Sequence, residues 1–182
     1  GAAGVLTLAL SFASQTSASN LVSGVFLLIE HPFRVGDTIK VKSFTGTVES
    51  LDLLSTKLRT SDNTLVRLPN ETLIKTEIIN LSHYKTRRAD LLIYIVYESD
   101  IKKASELLLS LVEQNPLALK KPAVIEVVPN FKDSSIKLKL SVWAKTKELG
   151  KLKASLYTNI NDAFKNSKIE TLSATGDTSS ER

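Results

Sequence analysis

The sequence predicts an α+β protein led by one long apolar helix, and three observations carry that prediction. Residues 1–29 contain no charged side chain, whereas charge is dense in everything that follows. Residues 34–81 break into short alternating runs separated by turn residues, the pattern of a small β-barrel. Residues 85–167 read in the order βαββα, the pattern of a sheet with two helices on one face.

The first stretch, GAAGVLTLALSFASQTSASNLVSGVFLLI, is long enough as a helix to exceed the roughly 30 Å of a bilayer's hydrocarbon core. Its composition is unusual for a plain anchor. Gly1, Ala2, Ala3, Gly4, Ala9, Ser11, Ala13, Ser14, Ser17, Ala18 and Ser19 are small, and small residues let helix backbones approach closely in membranes. Gln15, Thr16 and Asn20 are polar and poorly suited to face lipid, so the helix is expected to sit among other helices. Gly4, Thr7, Ser11 and Ser14 form a small, mildly polar groove at helical spacing. Leu8 and Phe12 stand one turn apart, and stacked rings of them would form an apolar constriction that gates by dewetting. From Gly24 the run turns bulky, and a glycine inside a helix is a natural place for a kink. A lone signal-anchor or a buried helix of a soluble domain fits the composition about as well as a pore does.

In the next region, Thr38-Ile39-Lys40-Val41-Lys42 alternates as a half-buried strand, and Thr45 to Glu49 follows after a short turn. Ser55 to Thr60 and Leu65 to Leu68 pair around an Asp62-Asn63 turn. Pro69-Asn70 ends that strand and opens a short helical turn, and Glu77 to Asn80 is a last strand. Further on, Arg88 to Tyr97 carries the apolar run LLIYIVY. Ser99-Asp100 can cap a helix with Ile101, Ala104, Leu108, Leu111 and Val112 on one face, and Pro116 and Pro122 bound its exit. Ala123 to Val128 and Ile136 to Ala144 are strands. Leu149, Leu152, Leu156, Ile160, Ala163 and Phe164 mark a second amphipathic helix.

Composition limits the function. With 42% hydrophobic residues the part after Ile29 can build real cores, and a net charge of +5 is too modest to demand nucleic acid. The chain has no cysteine, so it has no disulfide framework and no thiolate metal site. Its two histidines, His31 and His83, lie far apart without a paired nucleophile, and GAAG lacks the lysine and hydroxyl of a phosphate loop. No enzyme, metal or cofactor is expected. His31 is read as capping a helix, and Arg34, Arg87 and Arg88 as partners of carboxylates or lipid headgroups. No basic segment precedes the apolar run, so it does not read as a signal peptide. The chain carries no methionine, and Gly1 reads as a processed start or a boundary behind which membrane helices could stand.

The run from Ala13 to Val41, with Gly46-Thr47-Val48, Ser55 to Thr60, Leu68-Pro69-Asn70 and Ile78 to Ser82, resembles the small-conductance mechanosensitive channel (MscS-like) family. The resemblance covers Gly1 to about Ile169, without the outer membrane helices that members usually carry. It implies a pore-lining transmembrane helix at 1–29, an Sm-like β-barrel at 30–84, a ferredoxin-like α+β domain at 85–169 and, beyond it, a short apolar strand closing a basal barrel, which here only Ile169-Glu170-Thr171-Leu172 could supply; by composition, without apolar periodicity, residues 170–182 read instead as a disordered tail. It implies a homo-oligomer, a heptamer, in contact with membrane lipids and permeating ions, with no nucleic acid and with a large cytoplasmic domain. Leu8 and Phe12 match the family's gate positions. Gly4, Thr7 and Ser11 match its helix-packing face, with polar replacements. Thr16 stands where the family often has a kinking glycine, and Gly24 matches the second such glycine. An Sm-like ring that binds RNA is the rival, but Phe44 is the only aromatic between residues 34 and 81, so bases would have little to stack on. A non-conducting shell of the same architecture is a second rival.

Overall fold

The computed structural model describes residues 1–130 and 135–171, which form two compact units, Gly1–Tyr84 and the part from Lys85 onward. The first unit begins with α1 (Ala2–Glu30), followed by β1 (Thr38–Val41), β2 (Phe44–Leu51), β3 (Ser55–Arg59), β4 (Leu65–Pro69), the one-turn α2 (Asn70–Ile74) and β5 (Ile78–Asn80). The strands form one antiparallel sheet in the order β4-β3-β2-β1-β5, with β4 and β5 at its edges. Alternation sets the inner face: Ile39 and Val41 of β1 are fully buried while Lys40 between them is exposed. With Val48, Leu58, Leu68, Leu73 and Phe33 they make one core, and Leu27 from α1 completes it. A register shift between Val48 and Ser50 bends β2, the usual effect of a β-bulge.

The entry to this sheet is held by one carboxylate. Asp37 accepts hydrogen bonds from the backbone N–H of Arg34 (2.9 Å), from Asn80 Nδ2 (2.9 Å) and from the Ser82 hydroxyl (3.2 Å). It thereby ties the loop before β1 to the end of β5. Burial alone would raise its pKa. The N–H of Arg34, Asn80, Ser82 and the charge of His83 prevail, so the group titrates below its ordinary 3.8. A depressed native pKa means stability that is complete above that ordinary value and is lost as pH falls through the lower, folded one. Asp37→Ala should therefore cost about 1–3 kcal/mol at neutral pH. In strong acid the deficit should vanish, because the parent has by then lost the same contacts. Thermal denaturation of both proteins at the two pH values checks this. An equal deficit in acid would assign the effect to packing instead of charge.

The second unit runs β6 (Thr86–Val96), α3 (Ile101–Gln114), β7 (Val124–Asn130), β8 (Ser135–Lys145), a short 3-10 turn (Thr146–Glu148) and α4 (Leu149–Asn166). The sheet order is β6-β8-β7, all antiparallel. Ala104, Leu108 and Val112 of α3 and Leu152, Leu156, Ile160 and Phe164 of α4 cover one face of it. Asp100 caps α3, its side chain accepting from the N–H of Lys103 at 3.0 Å. Trp143 sits on the opposite face from Val142, with the Lys121 ammonium 4.5 Å from its ring centre.

Two elements run further than expected. Strand β7 continues through Pro129, because β7 is an edge strand and a proline there need not interrupt the ladder. Glu170 and Thr171, read from the sequence as the start of a tail, lie against β6. Ile169 is buried, the Glu170 carbonyl accepts from the N–H of Val96 at 3.1 Å, and Thr171 bridges to Ile95. The free edge of β6 takes up these residues. The rest of the predicted tail, 172–182, lies outside the described residues.

Candidate functional site

Among the described residues no group of three or more His, Asp or Glu converges as a metal site would require. The structure instead gathers its unusual polar chemistry along α1. This is one helix of 29 residues, about 43 Å long, and it is long and apolar enough to cross a membrane. Its end is capped by His31 in the left-handed conformation (φ 49°), whose backbone N–H returns to the Leu27 carbonyl. His31 therefore caps α1 through its backbone.

Only a short stripe of α1 is buried: Asn20, Ser23, Gly24 and Leu27, at the spacing of one helical face. This stripe is the seat on the β-sheet unit. Asn20 Oδ1 accepts from the backbone N–H of Glu71 at 3.0 Å, and its Nδ2 donates to the Thr16 carbonyl at 2.8 Å. Helix α2 has no side-chain cap of its own, so a residue from α1 caps it. Beneath lies Asn70, which is fully buried. Its Nδ2 donates to the carbonyls of Asp52 (2.8 Å) and Leu53 (3.0 Å), its Oδ1 accepts from the Thr56 hydroxyl (2.9 Å), and its N–H reaches the Leu54 carbonyl. A side chain on Gly24 would collide with the Leu53 carbonyl oxygen and stand 2.7 Å from Asn70 Nδ2.

The candidate residues thus fall on different faces. On an ideal helix Leu8 and Phe12 point roughly 90° away from the seat, while Gly4, Thr7, Ser11 and Ser14 point roughly 170° away from it. Leu8 and Phe12 are exposed, at 61% and 71%. The hydroxyls of the small groove are already used within α1: Thr7 donates to the Ala3 carbonyl (2.9 Å), Ser11 to Thr7 (2.8 Å) and Ser14 to Leu10 (2.6 Å). These groups need no neighbour to satisfy them, so the groove can meet lipid or another helix through its small size alone.

Helix α1 continues unbroken through Thr16 and Gly24, the two positions singled out for a kink. At Gly24 the small residue serves close approach to Leu53 and Asn70. At Thr16 the carbonyl is engaged by Asn20. Sequence reasoning missed the pairing of Asn20 with Glu71 and the hub at Asn70. The signals were present: Asn20 is a polar residue in an apolar run, and Leu68-Pro69-Asn70 is one of the matched segments.

Two family profiles match the chain, "Mechanosensitive ion channel, beta-domain" over residues 16–83 and "Mechanosensitive ion channel MscS, C-terminal" over residues 89–171. An uncharacterized MscS family protein of Archaeoglobus fulgidus is 36% identical over 169 residues, covering 93% of this chain and 60% of its own. The small-conductance mechanosensitive channel MscMJ of Methanocaldococcus jannaschii is 38% identical over 119 residues, which is 64% of this chain and 34% of that one. The chain therefore spans less than two thirds of the length of these curated relatives. The crystal structure of Helicobacter pylori MscS in its closed state superposes with a TM-score of 0.88 at 27% identity, over 100% of this chain and 72% of that one.

Proposed function

The chain belongs to the MscS-like family of mechanosensitive ion channels, and from that premise we propose that it is one subunit of a homo-oligomeric channel, a ring of seven, that conducts ions and small solutes. Residues 1–29 line the pore, and the barrel domain at 30–84 and the α+β domain at 85–169 enclose a cytoplasmic vestibule. Leu8 and Phe12 are the gate. Gly4, Thr7 and Ser11 are the surface on which neighbouring pore helices pack. Thr16 and Gly24 bound the segment through which the helix changes direction when the pore opens. Threonine in place of glycine makes a sharp bend at Thr16 costly, since it lacks glycine's backbone freedom.

The observation that carries this reading is the arrangement of α1. A helix without charge before Glu30 exposes Val5, Leu6, Leu8, Leu10 and Phe12, while the residues it buries against the folded domain, Asn20, Ser23, Gly24 and Leu27, all lie in its C-terminal half. An apolar surface of that extent on a lone chain in water would be an aggregation site; in a membrane ring it is the lining, the contact and the lipid face. Because the Thr7, Ser11 and Ser14 hydroxyls are satisfied within the helix, assembly rests on the packing of small and apolar side chains and not on rescue of stranded hydroxyls.

Mass measurement and particle imaging of the protein in mild detergent test the reading. A ring of seven with α1 inside the detergent belt is the expected result. A monodisperse monomer of 20.0 kDa would overturn the channel. A ring that forms but conducts nothing in bilayers would leave the non-conducting shell as the better description.

A further inference from the structure

The hydroxyls on the side of α1 away from its seat act on the helix itself. Thr7, Ser11 and Ser14 each donate to the carbonyl four residues earlier, those of Ala3 (2.9 Å), Thr7 (2.8 Å) and Leu10 (2.6 Å), and Ser14 also reaches the Ser11 carbonyl at 3.4 Å. In an α-helix each carbonyl already accepts the backbone N–H four residues on. These four carbonyls are therefore shared between two donors, which weakens the backbone ladder locally and favours bending. The shared carbonyls of Thr7, Leu10 and Ser11 flank or lie between Leu8 and Phe12. The three hydroxyl residues fall within roughly 60° of one another around the helix, so the weakening is confined to one side. Nearer the seat the helix is held from outside. The Thr16 carbonyl is shared with Asn20 Nδ2, but Asn20 is itself fixed by the N–H of Glu71, and Gly24 lies against the Leu53 carbonyl.

We propose that Ser11, with Thr7 and Ser14 beside it, is a positioning residue for the gate: its hydroxyl softens the turn that carries Leu8 and Phe12, so that the pore widens by a bend within α1 above its seat. The proposal rests on the channel reading above. This bend is distinct from the change of direction assigned to the segment between Thr16 and Gly24. The lower half of α1 stays on its seat while the upper half moves, because Asn20, Ser23, Gly24 and Leu27 are buried and Thr7, Ser11 and Ser14 touch nothing beyond their own helix. A glycine would loosen the backbone without preference of direction. A shared carbonyl loosens only the side on which it lies. The softening of one turn is slight in a single chain. In a ring whose helices move together, the contribution of every copy adds to the same transition.

The test is a series at Ser11 in the full-length protein, read by patch recording under applied tension and by amide hydrogen exchange in detergent. Ser11→Ala removes the second donor and adds helix propensity, so it should open at higher tension than the parent. It should also slow exchange across residues 8–15 and leave residues 20–27 unchanged. Ser11→Gly is as small and also lacks the hydroxyl, but it restores softness by another route and should open at or below the parent's tension. Ser11→Thr keeps a hydroxyl that can donate as Thr7 does, and should open close to the parent. If small size on a packing face were all that mattered, alanine and glycine would shift opening the same way, and that result overturns the proposal. So does a Ser11→Ala variant that matches the parent in both opening tension and exchange. The exchange measurement needs no conduction, so a parent that never conducts counts against the channel reading, while unchanged exchange in Ser11→Ala counts against the soft turn.

Discussion

Replacing Leu8 with serine should give a channel that leaks at rest or opens at lower tension, with assembly unchanged. In the proposed gate, stacked rings of Leu8 and Phe12 would offer water few hydrogen-bond partners, so it would withdraw and ions would meet a desolvation barrier without any physical plug. Serine removes about 2 kcal/mol of apolar preference per subunit and puts a hydroxyl in its place. Every subunit changes at once, so the whole level is rewetted. Leu8 takes no part in the seat of α1, which lies at Asn20, Ser23, Gly24 and Leu27, so the substitution should leave the fold alone. Leu6 is exposed to a similar degree as Leu8 but points roughly 200° around the helix, and Leu6→Ser should do much less. Single-channel recording of both variants decides the matter. Leakage through Leu6→Ser combined with silence from Leu8→Ser would show that the pore-facing side of α1 has been misassigned.

Asn70→Ala should have the largest effect on the fold itself. The change strands the buried Thr56 hydroxyl and removes the donor shared by the carbonyls of Asp52 and Leu53. Each buried polar group left without a partner costs about 1–3 kcal/mol, and relaxation recovers part of the sum. We expect a loss of about 2–4 kcal/mol, a fall of roughly 10–20 °C in the unfolding midpoint of a unit this size. Because the Gly24 backbone rests on the same group, α1 should loosen from its seat along with the loop. Thermal unfolding, read together with protease sensitivity at the Glu30–His31 junction, measures both. A midpoint within a few degrees of the parent would mean that water replaces the amide and that Asn70 is not the hub.

Most of the element order was readable because it is written in local periods. Alternation along Thr38 to Lys42 and along Ile136 to Val142 marks strands with one buried face, and the structure buries Ile39, Val41, Ile136, Leu138, Leu140 and Val142. The spacing of Ala104, Leu108 and Val112, and of Leu152, Leu156 and Ile160, marks helices with one buried stripe. Element ends were less readable. Whether a strand survives Pro129 depends on its being an edge, and the fate of Glu170 and Thr171 depends on a free edge at β6. Both are properties of the assembled sheet.

The seat of α1 shows the same division more sharply. By itself the sequence determined that residues 1–29 form a charge-free apolar helix, with Leu8 and Phe12 on one side and small residues on another, because those features repeat every three or four residues along a single segment. Only the tertiary structure decided what Asn20, Gly24 and Asn70 are for. Asn20 reaches Glu71 across 51 residues, and Asn70 reaches Asp52 and Leu53 across 18 and 17. A hydrogen bond between segments that far apart leaves no period in either of them, and a glycine that makes room for a distant carbonyl reads, in its own segment, like a glycine that makes a bend.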